Sequence, residues 1–411
     1  MTRRQKRFTA GRTALTFLTA LGALAGTALV GAAPASGVPD GTRLAPGVVY
    51  EQFDIQGARG TAHGHLLRVD LTNPHVTLDL LYPGKVAARA PASRLADAQG
   101  AVAGVNGDFF NITETQHPGV EATGASVGPA VASGRTLKAA VPNGQRFGPA
   151  LPPGTSTEDV IGMGVDRRAR LDDMALTGSI RTATGQLRLG GLNQYALPEN
   201  SIGAFTSDWG FASRVRATCG TDTDRAAPCS DDTHEVTIRD GRVVSTADSP
   251  GGGIIEPGTT VLVGREAGAQ ELRKFVTGQP VKVRHKLVAA ASRVAYRFAV
   301  GGYPVLSGGQ PPAGLDNITS AVRSAMGIGG GGKQVLLFSL DGGSAYRGLT
   351  IAEIADTMRK LGAVDAFSLD GGGSSTLVAR APGASAVTVR NHPSGGAERP
   401  VPNGIGVFTT P

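Results

Sequence analysis

The strongest constraint on the fold is a pair of Leu-Asp-Gly-Gly turns, at 340–343 and 369–372, separated by one helical pattern. Each turn follows an apolar strand pattern, and apolar residues between Ile351 and Leu361 repeat at helical spacing. A strand-helix-strand unit of this length is almost always a right-handed parallel crossover. Because parallel strands end at the same edge of a sheet, we expect Asp341 and Asp370 to lie on one edge, where ligands bind.

The ends of the predicted helix are also marked: Thr350 and Glu353 form a capping box, and Gly362 suits a left-handed C-terminal residue.

A single Asp-Gly-Gly segment is as readily an ordinary turn as a site. Two copies in one crossover favour a site, since glycines let backbone amides approach an anion such as phosphate. The candidate binding residues in the two turns are Gly342, Gly343, Gly371, Gly372, Gly373, Ser374 and Ser375.

A third candidate segment is Asn-Gly-Asp-Phe-Phe at 106–110, which follows an apolar strand pattern ending at Val105. Here an amide side chain and a carboxylate side chain, separated by one glycine, again come directly after a strand. The two aromatic rings can form a sugar-stacking wall or anchor the core, and the sequence leaves both open. The candidate site residues of this segment are Asn106, Gly107 and Asp108.

Isolated cationic and imidazole side chains also stand out. Arg323 is set among small and apolar residues, and a buried arginine needs an anionic partner, either an aspartate or a substrate phosphate. His63 and His65 alternate along a predicted strand and share one face, a spacing found in metal sites and on ordinary strand faces. We assign no metal ligand from the sequence.

These motifs resemble the phosphodiester glycosidase family over about Gly60 to Phe408. The polar segment between Cys219 and Cys229 departs from the family pattern. The matching motifs, in order, are Asn-Gly-Asp-Phe-Phe at 106–110, Arg-Ser-Ala-Met-Gly at 323–327, Asp-Gly-Gly at 341–343, Leu-Gly-Ala at 361–363, Leu-Asp-Gly-Gly-Gly-Ser-Ser at 369–375, Glu-Arg-Pro-Val at 398–401 and Asn-Gly-Ile-Gly-Val at 403–407.

The resemblance implies hydrolysis of the bond between a sugar's anomeric carbon and a phosphodiester. A phosphomonoester leaving group, with a second pKa of about 6, needs charge neutralisation more than a proton, and Arg323 and Arg399 are the expected cations. Positive charge developing on the sugar calls for a carboxylate, for which we favour Asp370 as base or nucleophile. Either Asp108 or Asp341 is then the second carboxylate, or binds sugar hydroxyls. The remaining candidate contacts to substrate are Asn106, Asn391, Glu398 and Asn403.

Two rival functions remain open at this point. A glycosidase acting on a non-phosphorylated glycan would use the same carboxylates with a stronger need for a general acid. A non-catalytic cell-wall polysaccharide-binding protein would usually display several aromatics, and here aromatics make up only 5% of the chain. We expect no required cofactor. A divalent cation such as calcium is compatible with the Asp-Gly turns, but no ligand is assigned.

The first residues, 1–35, read as an export signal: five basic residues, an apolar stretch, then small residues. A twin-arginine route and an ordinary secretory route are both compatible with Arg3-Arg4. Removing this segment takes the formal net charge from +7 to +2, which argues against a nucleic-acid partner. We therefore expect a secreted or cell-wall protein with no stable membrane span, acting on a sugar phosphodiester or phosphoglycan.

The mature chain is predicted to be α+β, with a β-rich mixed sheet, few helices and the C-terminal β-α-β unit. We expect a lead-in segment at 36–59 and one domain at 60–411, with an inserted β-rich subdomain at about 162–288. The insertion carries an Asp240-Gly241 hairpin turn. Cys219 and Cys229 are expected to form a disulfide in an oxidising compartment. The oligomeric state is left open.

Overall fold

The protein is described by a computed structural model covering residues 41–343 and 345–410, so the predicted export signal lies outside the described residues. About 40% of the chain is strand and 10% helix, which confirms a β-rich α+β fold. The α-helices of the described residues are α1 (Ala92–Gln99), α2 (Ala267–Leu272) and α3 (Ile351–Lys360), and the other helical residues form short 3-10 turns.

The strands of the first half are β1 (Thr42–Ala45), β2 (Val48–Gly57), β3 (Gly60–Asp70), β4 (Val76–Leu81), β5 (Ala103–Asn106), β6 (Ala130–Ala132), β7 (Arg135–Lys138), β8 (Asp159–Gly164), β9 (Ala169–Arg181), β10 (Gln186–Arg188), β11 (Gly191–Leu192) and β12 (Ile202–Phe205). Those of the second half are β13 (Thr233–Arg239), β14 (Arg242–Ala247), β15 (Thr259–Arg265), β16 (Lys282–Ala289), β17 (Tyr296–Gly301), β18 (Tyr303–Leu306), β19 (Ser324–Gly329), β20 (Gln334–Leu340), β21 (Asp365–Ser368), β22 (Leu377–Ala379), β23 (Thr388–Val389) and β24 (Gly404–Thr409).

The first sheet has seven strands in the order β1-β2-β3-β20-β19-β21-β18. The predicted β-α-β unit is β20-α3-β21, and its two strands are parallel because each pairs antiparallel with β19. The strands are therefore separated by β19 rather than hydrogen-bonded to each other. The segment predicted as a lead-in supplies β1 and β2, so this sheet begins before Gly60.

The second sheet has five strands in the order β23-β22-β5-β24-β4. The chain enters it directly from the first sheet, since the turn after β21 leads into β22. Leu66 and Leu337 of the first sheet share one core cluster with Val105 and Ile405 of the second, and all four are fully buried. The shared core places the end of β5 beside the end of β21, where the candidate site lies.

Two further sheets complete the described part of the chain. One follows the order β10-β9-β8-β17-β6-β7 with β16 paired to β9, and the other follows β11-β12-β15-β13-β14. The second of these lies wholly within 162–288, and its β13–β14 hairpin turns at Asp240 and Gly241, with φ angles of 50° and 72°. The predicted Cys219–Cys229 disulfide is present. Within the described ranges, no helix is long and apolar enough to cross a membrane.

Candidate active site

The turn after β21 is bonded directly to the end of β5. The backbone N–H of Asp370 donates to the Gly107 carbonyl at 2.8 Å, and the Asn106 side-chain amide donates to the Asp370 carbonyl at 2.7 Å. The side-chain oxygen of Asn106 also accepts from the Ser324 hydroxyl and the Thr376 backbone N–H. Asn106 is fully buried, so it fixes the position of Asp370 from within the protein.

Asp370 is half-buried and accepts a hydrogen bond from the Gly371 backbone N–H at 3.0 Å. Burial raises the pKa of this carboxyl to about 6. The Ser374 hydroxyl and the Arg399 charge act to lower the pKa, whereas the charge of Asp108 raises it further. The two aspartates therefore interact electrostatically in one poorly solvated site, as catalytic carboxylates commonly do.

Asp108 is almost completely buried. Its Oδ2 accepts from the Gly128 backbone N–H at 2.6 Å, and its own backbone N–H donates to the Asn403 side chain at 2.9 Å. In the described part of the chain its Oδ1 has no hydrogen-bond partner. A Cβ at Gly301 would lie 2.6 Å from Oδ2, so only glycine leaves room for the carboxylate at this position.

Lys138 is a buried cation that sequence reasoning missed. It is 1% exposed, and its Nζ donates to the backbone carbonyls of Val127, Gly128 and Ala139. Burial lowers the pKa of Lys138, and the charge of Asp108 opposes that shift; burial likewise raises the pKa of Asp108, opposed by Lys138. The apolar run Leu-Lys-Ala-Ala-Val at 137–141 was the available sign that this lysine is buried.

Arg146 is a second missed cation, and it lies next to both aspartates. Its guanidinium stacks 4.3 Å from the Phe109 ring centroid and 5.4 Å from that of Tyr303. Burial lowers the pKa of Arg146, and the charges of Tyr303, Asp108 and Asp370 raise it. Among the described residues its Nη2 has no hydrogen-bond partner. Phe109 and Phe110 are both buried, so these two rings anchor the core and Phe109 supports Arg146.

Two more arginines contact the Asp370 turn. The Arg399 Nη1 donates to the Ser374 hydroxyl at 3.2 Å, and Arg399 lies so close to Gly373 that a Cβ there would overlap the guanidinium. Arg323 lies against Gly371 and donates to backbone carbonyls of Thr319 and Leu349. Within the described ranges, neither arginine nor Arg146 forms an ion pair with a carboxylate.

Asp341 belongs to a separate network on the same sheet edge. Its Oδ1 accepts from His65 Nε2 at 2.8 Å and from the His392 backbone N–H at 2.6 Å. Burial acts to raise the pKa of Asp341, but the His392 N–H and the His65 charge outweigh burial, so the pKa is lowered. Since β19 separates the two strands, Asp341 and Asp370 are two strand spacings, roughly 10 Å, apart.

The other predicted binding residues act mainly within the protein. The Asn391 amide donates to the carbonyls of Leu340 and Ser375, which joins the two turns. Glu398 accepts from the backbone N–H of Ser93 in the first turn of α1. Ser375 is fully buried, and its hydroxyl has no partner among the described residues. Among the predicted turn residues, the backbone N–H groups of Gly342, Gly371, Gly372, Ser374 and Ser375 donate to protein acceptors, whereas Gly343 extends its turn at a φ angle of 103°.

Residues 232–408 match the family model described as phosphodiester glycosidase, which confirms the predicted resemblance for that part of the chain. The matched stretch includes Arg323, Asp341, Asp370 and Arg399, whereas Asp108 lies outside it. No curated protein matches the sequence. The family match supports a hydrolase of phosphodiester-linked sugars as the class of protein.

Among solved structures, a hypothetical protein from Synechocystis is similar with a TM-score of 0.68 and 19% identity, covering 89% of this chain; the chain spans 62% of that protein. A protein from Burkholderia pseudomallei K96243 proposed to be exported gives a TM-score of 0.63 and 22% identity, covering 85% of this chain and 74% of that one. The catalytic domain of zebrafish N-acetylglucosamine-1-phosphodiester alpha-N-acetylglucosaminidase, auto-inhibited by its pro-peptide, gives a TM-score of 0.43 and 14% identity. That match covers 91% of this chain and 87% of the zebrafish domain. The first two likenesses establish the fold.

Proposed function

We propose that this protein hydrolyses the bond between a sugar's anomeric carbon and a phosphodiester, with Asp370 acting at the carbon and arginines binding the phosphate. The observation that carries the proposal is the set of three arginines around the Asp370 turn, none ion-paired with a carboxylate of the described residues. Arginine is suited to phosphate because its planar guanidinium group can donate two parallel hydrogen bonds. The arginines concerned are Arg146, Arg323 and Arg399.

The unpartnered atoms of Asp108 and Arg146 support a polar substrate at this place. Buried polar atoms are normally hydrogen-bonded, and an unmet one costs about 1–3 kcal/mol. Asp108 Oδ1 is an acceptor and Arg146 Nη2 is a donor, so the two together match a ligand that presents both a hydroxyl and an anionic oxygen. A sugar phosphate has this combination of groups.

In the proposed reaction, the carboxylate of Asp370 either attacks the anomeric carbon, forming a glycosyl ester that water then hydrolyses, or takes the proton of a water that attacks the carbon directly. The glycosidic bond to the phosphate oxygen breaks, and its electron pair leaves with the phosphate as a phosphomonoester. The arginines stabilise that charge as it develops, which lessens the need for a general acid. Asp108 binds a sugar hydroxyl or serves as the second carboxylate. We further propose that the substrate is met outside the cytoplasm, given the exported likeness and the disulfide.

The proposal is tested with methyl phosphodiesters of several sugars, each linked through the anomeric carbon. The readouts are release of free sugar and appearance of methyl phosphate by phosphorus NMR. We expect the parent protein to turn over at least one substrate, and Asp370→Asn to lose that activity. Asp356→Asn, an exposed change on α3, is the matched control. No turnover on any substrate, or equal turnover by Asp370→Asn, would defeat the proposal.

A substitution of one of the arginines distinguishes the rival glycosidase activity from hydrolysis of the sugar phosphodiester. Replacing Arg399 with methionine removes a charge from the phosphate site. Because that charge also lowers the pKa of Asp370, both substrates are assayed at a pH well above 6, where Asp370 is ionised. We expect a large loss on the phosphodiester and a small change on a nitrophenyl glycoside of the same sugar. Equal losses on both substrates would favour the rival function.

A further inference from the structure

A second cluster of side chains on the sheet edge has the composition of a metal site. His63 and His65 lie on one face of β3, and Asp341 follows β20, which pairs directly with β3. One nitrogen of each histidine and one oxygen of Asp341 lie within 4.8 Å of one another. Asp341 is one of the two candidates for the second carboxylate in the sequence, but none of the residues used in the reaction proposed above belongs to this cluster.

Strand β2 supplies an outer partner for each imidazole. Asp54 Oδ1 lies 2.6 Å from His63 Nδ1, and the Tyr50 hydroxyl lies 2.7 Å from His65 Nδ1. With both Nδ1 atoms occupied, the Nε2 atoms remain as the ligand nitrogens, and His65 Nε2 already faces Asp341 at 2.8 Å. Metal-bound histidines typically donate their second nitrogen to such a carboxylate or hydroxyl, which orients the ring.

The cluster is reachable from solvent on one side. The His63 side chain is 20% exposed and stacks on Tyr346 at 5.4 Å between ring centroids. The His392 side chain is 80% exposed, and its Nδ1 lies 3.1 Å from Asp341 Oδ2. An ion can therefore enter, and His392 or water is placed to complete its coordination.

The ligand types select the class of metal. Calcium and magnesium prefer all-oxygen sites, whereas two imidazoles and one carboxylate suit zinc and similar first-row ions. We propose that His63, His65 and Asp341 bind a divalent transition metal ion of the zinc class, with water or His392 as the further ligand. This proposal does not rest on the proposed hydrolysis.

The test uses the full chain, stripped with a chelator and then titrated with Zn²⁺ alone. Elemental analysis after desalting and titration calorimetry are the readouts, with no substrate present. We expect one zinc ion per chain, retained in excess calcium. His63→Gln should abolish that binding. His75→Gln is the matched control, because His75 is exposed and contacts Thr410 instead, and it should bind zinc like the parent.

Asp54→Asn tests the outer partner without changing a ligand. Since loss of such a partner weakens metal affinity by about 10–100-fold, we expect a drop of that size with an unchanged circular dichroism spectrum. Absence of zinc from the parent, or equally tight binding by His63→Gln, would overturn the proposal. Because zinc content is measured without substrate, neither result bears on the test of the proposed hydrolysis.

Discussion

At the scale of single residues, burial sets the protonation of Asp370. Its pKa rises from 3.8 to about 6, so the folded protein binds this proton more tightly than the unfolded chain does. Stability is therefore lost as the pH rises from about 4 to 6, by roughly 1–3 kcal/mol after allowing for partial exposure. We expect Asp370→Asn to resist urea better than the parent at pH 7.5 and to match it near pH 4. A less stable variant at pH 7.5 would contradict this assignment.

The same pKa predicts the pH dependence of activity. A base or nucleophile must be ionised, so kcat/KM for the phosphodiester should rise with pH through about 6 and then level off. A profile of initial rates on one substrate, corrected for stability at each pH, measures this. Activity that instead increases towards acid pH would mean that Asp370 works in its protonated form.

A Gly301→Ala substitution tests how much space the carboxylate of Asp108 needs. A methyl group there would lie 2.6 Å from Asp108 Oδ2 and 2.7 Å from the Gly128 Cα, so Gly301→Ala should displace the carboxylate. We expect a loss of about 1–3 kcal/mol in stability and at least tenfold in kcat. Gly185→Ala is the control, since no atom lies within 4 Å of its added methyl. Wild-type kcat in Gly301→Ala would show that Asp108 is not needed in this position.

At the scale of elements, the predicted capping box is present at the N-terminus of α3, and it does more than start the helix. Glu353 accepts from the backbone N–H of Thr350, and also from that of Ala58 in the β2–β3 turn at 2.6 Å. We expect Thr350→Ala to cost about 1 kcal/mol and Glu353→Ala about 2 kcal/mol, because the latter frees two backbone donors. Urea unfolding measures both, with exposed Glu271→Ala as a near-neutral control. Equal costs would mean that the Ala58 bond contributes nothing.

Local patterns predicted these elements well, and long-range pairing less well. The strand ending at Leu340, the helix from Ile351 and the Asp240-Gly241 turn each depend on neighbouring residues, and all three are present. The insertion of β19 between β20 and β21 depends on pairing between distant segments, for which the sequence carries no local signal. The same is true of Arg146, whose guanidinium stacks on Phe109 from a distant segment of the chain.

At the scale of the whole molecule, the polar segment that departs from the family pattern has a structural role. The loop closed by Cys219 and Cys229 packs against the segment that carries Arg146. Arg225 donates to the Arg146 carbonyl at 2.7 Å, and the Gln145 side chain donates to the Thr221 carbonyl at 2.6 Å. The disulfide loop therefore lies behind one of the three proposed phosphate-binding arginines.

Removing the disulfide should thus affect substrate binding as well as stability. The sequence separation of its cysteines is 10 residues, and closing a loop of that size stabilises by about 3 kcal/mol. We expect the double Cys219→Ser, Cys229→Ser variant to lose stability of that order. Its KM for the phosphodiester should rise severalfold, while the KM for a nitrophenyl glycoside changes little, because the role proposed for Arg146 is to bind the phosphate. Glu353→Ala, destabilised at the start of α3 through contacts that do not include Arg146, controls for stability alone. An unchanged KM in the cysteine variant would separate the loop from phosphate binding.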